Sequence, residues 1–184
     1  GLSKSTNLGT TQLPAPPVGG VHETTNAGDA DALLLCFSGG DDVDLLYGTL
    51  YGGSGSDAVL DLAGGDACDD GGGNCMLYAT GETRSGSGII LAENDALYQQ
   101  NDLGNIGAGN KLDAFLLALN TATKAPHWTT YFGGTHTDKG QGVAASATEL
   151  YLVGGTISDQ TSFPLKEFNT NALEDWYDGD LLNN

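Results

Sequence analysis

Basic side chains are nearly missing from this chain: six Lys and Arg stand against 24 Asp and Glu, for a formal net charge of −18 at pH 7. Nucleic-acid binding draws its affinity from a cationic footprint on the phosphates, so that class of partner is excluded. Attachment to an anionic membrane surface is disfavoured for the same reason. No apolar run is long enough to cross a membrane as a helix, and no membrane insertion is expected. A secretory signal pattern and an N-x-Ser/Thr sequon are absent. The three cysteines form no CxxC or Cys/His cluster, so a zinc centre is not expected. No segment sustains the 3.6-residue apolar period of an amphipathic helix.

What is present is glycine, 29 of 184 residues and roughly twice the usual share, together with an excess of Asp over Glu. Both are turn formers. With runs rich in Val, Leu, Tyr, Phe and Thr between the turns, the chain reads as an all-β protein. It begins with Gly1, which reads as a processed protein or a segment of something longer.

The sequence states one pattern twice, about eighty residues apart. Asp31-Ala32-Leu33-Leu34-Leu35 is followed by Tyr47-Gly48-Thr49-Leu50-Tyr51-Gly52-Gly53 and Asp57. Asp113-Ala114-Phe115-Leu116-Leu117 is followed by Trp128-Thr129-Thr130-Tyr131-Phe132-Gly133-Gly134 and Asp138. Repeats of this kind build units that bury their faces only against a neighbour. Strands are expected at 31–37, 44–52, 57–63 and 75–82, then at 113–119, 127–133, 140–146 and 149–156. A long connection follows each fourth strand, and Asp178-Gly179-Asp180-Leu181-Leu182 reads as the start of a third copy.

The string Asp113-Ala114-Phe115-Leu116, Thr129-Thr130-Tyr131-Phe132-Gly133-Gly134, Asp138, Gly142-Val143-Ala144, Leu150-Tyr151-Leu152-Val153-Gly154-Gly155-Thr156 and Phe163-Pro164 resembles the SBBP β-propeller repeat. The first copy matches through Asp31-Ala32, Thr49 to Gly53, Asp57 and Leu77 to Thr83, with Leu60-Asp61-Leu62 as a departure. That resemblance implies propeller blades, each a four-stranded antiparallel sheet, with about two blades' worth of strands in this chain. Residues 1–56 then hold a long connection and the second half of a preceding blade. Residues 57–134 form a complete blade with a cysteine-bearing insertion at 64–75, and 135–184 the first half of the next blade plus a long connection. Two blades cannot close a ring, so the implied partners are further blades or other protein subunits. The setting implied is extracellular or cell-surface and bacterial, in a structural or adhesive role.

Within that frame Gly52, Gly53, Gly133 and Gly134 are expected to supply positive φ and close backbone approach between sheets. Asp57 and Asp138, four residues past each Gly-Gly, are expected to accept backbone N–H bonds, with a cation-ligand role as the alternative. Tyr47, Tyr51, Trp128 and Phe132 read as core, with carbohydrate stacking as the alternative. Cys68 and Cys75 bracket a short polar loop and read as a local disulfide, which fits an oxidising compartment. Cys36 reads as a packed thiol inside an apolar run.

No catalytic residue emerges. Asp66 to Gly71 starts like an EF-hand loop, but Cys68 and Leu77 occupy positions where ligating oxygens are required. A looser structural calcium site from Asp66, Asp69 and Asp70, or from Asp29, Asp31, Asp41, Asp42 and Asp44, stays open. Gly104 to Lys111 misses the phosphate-loop pattern, and Gly52 to Ser56 misses the nucleophile elbow. His22, His127 and His136 are scattered. The reading is a non-catalytic structural or binding module with no cofactor. The alternative is a carbohydrate-active enzyme or a lectin-like propeller that binds glycans and is closed by oligomerisation.

Overall fold

Glycine-bearing turns punctuate runs of β-branched, aromatic and leucine residues, and each run becomes a strand. The structure, a computed structural model, describes residues 2–3, 25–69, 74–87, 89, 111–159 and 163. The strands are β1 (Leu2–Ser3), β2 (Asp31–Phe37), β3 (Leu45–Tyr51), β4 (Asp57–Asp69), β5 (Asn74–Thr83), β6 (Asp113–Asn120), β7 (Pro126–Phe132), β8 (Asp138–Ala145) and β9 (Leu150–Thr156). All pairings between them are antiparallel, and no helix occurs among the described residues. The protein is all-β. Three sheets follow in chain order: β1-β2-β3, then β4-β5-β6-β7, then β8-β9.

The sequence repeat is also a register repeat. Ala32 faces Tyr51 in the first sheet as Ala114 faces Phe132 in the second. Irregularities recur at equivalent places, between Val59 and Asp61 and between Gly140 and Gly142. They recur again between Cys36 and Phe37 and between Ala118 and Leu119. A bulge of this kind adds one unpaired residue and sharpens the twist of the strand. At β4 that residue is Leu60, about half exposed, which explains why Leu60-Asp61-Leu62 departs from a plain alternation.

The core lies between the first and second sheets. Ala32, Leu34 and Tyr51 meet Val59, Ala79, Phe115, Leu117 and Tyr131, with Ile89 inserted from the connection after β5. The rings of Tyr51 and Phe115 are tilted at 6.0 Å. Each of the larger side chains contributes roughly 1.5–3 kcal/mol on full burial. Buried hydroxyls are satisfied, as Tyr51 donates to Ile89 O at 2.6 Å and Tyr131 donates to Ser85 O at 2.6 Å. On its other face the second sheet meets β8, where the Val143 N–H donates to Asp61 Oδ2 at 2.8 Å. A Cβ on Gly140 would collide with the Thr80 hydroxyl, so that sheet packs closely only because residue 140 is glycine. Covered on both faces, β6 is buried along nearly its whole length, which is why its sequence is almost continuously apolar.

Three expectations change. The insertion at 64–75 is not a separate loop over its full length: β4 runs on to Asp69 and β5 starts at Asn74, so the hairpin arms extend through Asp66, Cys68 and Asp69. Cross-strand pairing of backbone groups there outweighs the turn propensity of the glycines. Trp128 and Phe132 are half-buried rather than core; Trp128 lies 6.3 Å from Tyr78 and Phe132 packs edge-on to Phe163 at 5.2 Å. Cys36 is also only half-buried, and its thiol is free. Residues 10–24, 91–110 and 164–184, which carry most of the long connections, His22, Trp176 and the third-copy start, lie outside the described residues.

Cys75 is disulfide-bonded, and the ladder places Cys68 opposite it. Alkylation of the unfolded, unreduced protein should therefore label one thiol, and alkylation after reduction should label three. Three labels without reduction, read by intact mass, would contradict the bond.

Candidate functional site: paired carboxyls where the chain changes sheet

Each change of sheet is built around two aspartates from strand starts. At the first joint they are Asp31, opening β2, and Asp57, opening β4; at the second they are Asp113, opening β6, and Asp138, opening β8. All four are buried, at 0–1% exposure. Burial of a carboxylate is tolerated only when its oxygens are hydrogen-bonded or otherwise compensated.

Asp57 is held on every side. Its Oδ2 accepts from Gly53 N at 2.8 Å and from the Ser85 hydroxyl at 2.6 Å, and its Oδ1 accepts from the Thr83 hydroxyl. Ser85 N donates to Thr83 Oγ1 at 2.9 Å, and Gly55 N donates to Ser85 Oγ at 2.9 Å. The second joint repeats the set except for the threonine bond to Oδ1. Asp138 Oδ2 accepts from Gly134 N at 2.7 Å and from the Ser158 hydroxyl at 2.7 Å. Ser158 N donates to Thr156 Oγ1 at 3.0 Å, and His136 N donates to Ser158 Oγ at 2.9 Å. Backbone bonds match as well: Asp57 N donates to Ala30 O at 2.6 Å, and Asp138 N to Leu112 O at 2.7 Å.

The expected N–H acceptor role of Asp57 and Asp138 is what the geometry shows. The expected positive φ of the Gly-Gly pairs is not: among the described glycines only Gly40 has it. Glycine is needed for contact instead. A Cβ on Gly133 would lie 2.5 Å from Asp113 Oδ1 and 2.9 Å from Asp138 Oδ2, and one on Gly52 would meet Asp31 Oδ1 and Asp57 Oδ2 in the same way. The two carboxyls of each joint thus close over the Cα of the first glycine.

Compensation is incomplete at the partner aspartates. Asp31 Oδ2 accepts from Ala27 N at 2.8 Å, while Asp31 Oδ1, Asp113 Oδ1 and Asp138 Oδ1 have no hydrogen-bond partner. Burial raises Asp31 above the usual carboxylate value; the Ala27 N–H opposes this and the Asp57 charge adds to it. Burial, and then the charge of Asp138, push Asp113 up to about 7 despite the nearby Lys111 ammonium, which itself donates to Thr135 O at 2.6 Å.

The chain matches no family model and no curated protein.

The looser acidic groups read from sequence are not assembled. Asp31 is buried in its joint while Asp29, Asp41, Asp42 and Asp44 are exposed. Asp66 and Asp69 fall on β4, and Asp70 lies outside the described residues. Among the described residues no three acidic, His or Cys side chains converge as a metal-binding group. His127 and His136 are exposed. Sequence reading missed Thr83, Ser85, Thr156 and Ser158, and gave no site role to Asp113. The signal was present as a Thr-x-Ser repeated after the fourth strand of each copy, Thr83-Arg84-Ser85 and Thr156-Ile157-Ser158. Beside the second joint lies a groove of about 240 Å³ lined by Ala114, Phe132, Leu152, Gly154 and Phe163, among others.

Gly133→Ala should destabilise the fold by about 1–3 kcal/mol, because the new methyl must displace two carboxyls fixed from behind. Gly155→Ala, at a site with open space, serves as the control in denaturant melts. The pH dependence follows from Asp113. Its folded-state value exceeds the unfolded one, so the native state retains a proton that the unfolded state has released. This contribution is intact below about pH 4 and is lost as pH rises through about 7, so stability should fall from pH 5 to 8. Asp113→Asn should flatten that slope in melts followed by circular dichroism; an unchanged slope would show that Asp113 is not its source.

Proposed function

We propose that this chain is a stretch of β-propeller that serves as a non-catalytic structural or binding module of a secreted or cell-surface protein. The observation that carries this reading is the doubled joint. Two successive changes of sheet use the same carboxyl pair, glycine contact and Thr-x-Ser support, so the chain repeats one geometric step between stacked antiparallel sheets. Repetition of a fixed step between four-stranded sheets is how a propeller turns around its channel. The likeness to SBBP repeats supports the same reading from the residue order, and the disulfide at Cys75 fits an oxidising setting.

The competing reading is a carbohydrate-active or lectin-like propeller. Catalytic carboxyl pairs must reach a glycosidic oxygen and an attacking water. The two pairs assembled by this fold are sealed from solvent, so they support architecture rather than hydrolysis.

Imaging of the assembled protein by electron microscopy tests the proposal: sheets arranged radially around a channel are expected, and a straight or open stack of sheets would overturn it. A glycan array gives the second arm. Saturable glycan binding abolished by Trp128→Ala, with an unchanged melt, would replace the structural role by a lectin role.

A further inference from the structure

Among the described residues the stack has a partly paired sheet at each end, and the two are complementary. At one end β8 and β9 form a two-stranded sheet, and the outer edge of β9 has no strand beside it among the described residues. At the other end β2 and β3 form the last two strands of a sheet, and beyond β3 the described residues that meet β2 are the two of β1, at Asp31 and Ala32. In sequence β8-β9 repeats β4-β5, and β2-β3 repeats β6-β7. In the second sheet those two halves are joined by the pairing of β5 with β6, from Thr83 opposite Asp113 to Met76 opposite Asn120.

We propose that β2 and β3 of a second copy of this chain add to the free edge of β9 and complete a four-stranded sheet like β4-β5-β6-β7. This rests on the propeller reading and names its partner. Carried over from β5 and β6, the register sets Thr156 opposite Asp31, Gly155 opposite Ala32, Leu152 opposite Leu35 and Tyr151 opposite Cys36. The two residues of β1, which pair with Asp31 and Ala32 within one chain, are displaced by the incoming β9.

Three observations support that partner. Phe115 and Leu117 of β6 are fully buried, whereas Leu35, the β2 counterpart of Leu117, is 44% exposed and Phe37 is 51% exposed. The groove beside Leu152 and Gly154 lies on the side of β9 where the counterparts of Phe115 and Leu117 would enter. Finally, Thr83 is fully buried and bonds Asp57 Oδ1, while its counterpart Thr156 is exposed and Asp138 Oδ1 has no partner. A strand in this register would bury Thr156 and direct its hydroxyl toward that oxygen.

The chain's own Asp180-Leu181-Leu182-Asn183-Asn184 is the other stretch with this sequence pattern, but it carries Asn where β6 has Leu116 and Leu117. β2, Asp31-Ala32-Leu33-Leu34-Leu35, carries Leu34 and Leu35 at those two positions. The pairing is head to tail, so it closes into a ring or extends as a filament. With a net charge of −18 on each copy, it should strengthen as salt is added.

The native free thiol provides the test. Tyr151→Cys, oxidised at raised salt, should give covalent dimers and higher species on a non-reducing gel, and adding Cys36→Ser should abolish them. Absence of covalent species, or their persistence with Cys36→Ser, overturns the proposal. Wild-type protein supplies a readout that needs no variant. Hydrogen exchange protection of the outer β9 amides should rise with protein concentration, in step with the sedimenting mass. Protection already complete in a monomer assigns the edge to the chain's own residues and overturns the second copy; no protection at any concentration overturns it as well. Linked chains imaged as an open filament would retain the pairing and remove the ring. A ring without cross-links would retain the propeller and remove this partner.

Discussion

A carboxylate can sit in a protein interior only if donors replace the water it gives up, and the sheets of this chain are joined where that condition is met. Asp57 and Asp138 each draw together a backbone N–H from the Gly-Gly turn and a serine hydroxyl from beyond the next strand pair. One side chain therefore fixes the end of one sheet to the start and finish of the next. Removing it would leave the Gly N–H and the serine O–H without the acceptor they share, and a buried orphan donor costs more than the bond itself contributes. The joint is thus specified by satisfaction of polar groups, while the apolar core between sheets supplies most of the stabilisation.

That division explains where the two copies are free to differ. Between joints the chain tolerates longer β4 and β5 strands in the first unit, because the added ladder from Cys68 and Asp69 to Cys75 and Asn74 lies at the far end from the Asp57 to Thr83 pairing. At the joints the residues are the same type in both copies: aspartate, glycine and the Thr-x-Ser hydroxyls. The plug that follows is different in kind but equivalent in position. Ile89 enters beside Tyr51 in one unit, and Phe163 meets Phe132 edge-on in the other. Apolar contacts can exchange shape for shape; a donor–acceptor set cannot.

The strands and their order were legible in the sequence because repetition sets two copies of each strand side by side. The turn aspartates were legible too, since Asp follows Gly-Gly by four residues in both places. Of the two roles expected of the glycines, close approach holds and positive φ does not, for a physical reason. Positive φ is a local property and can be inferred from a turn, but the demand on Gly52 and Gly133 is made by carboxyls from other strands. Contacts across 25 or more residues, such as Thr83 to Asp57, leave no local trace. The same holds for Asp61, whose departure from the strand pattern looked like irregularity and is a bond to Val143 in the neighbouring sheet.

The strongly acidic composition acquires a structural consequence at these joints. Most of the 24 carboxyl groups can remain in water, but Asp31 and Asp113 are placed against a second buried aspartate. Two like charges at that spacing cannot both persist without a proton or a counter-charge. Lys111 partly supplies one at the second joint, whereas the equivalent position at the first is Asp29. The first joint is compensated differently, by the Ala27 N–H on Asp31 and the Thr83 hydroxyl on Asp57. At the second, Thr156 stands in solvent and both Oδ1 atoms are unpartnered. The joint whose threonine is exposed is therefore also the less satisfied one, and it lies beside the sheet that has two strands among the described residues. The strand addition proposed for β9 accounts for both facts at once: it would cover the hydroxyl that the first joint already uses.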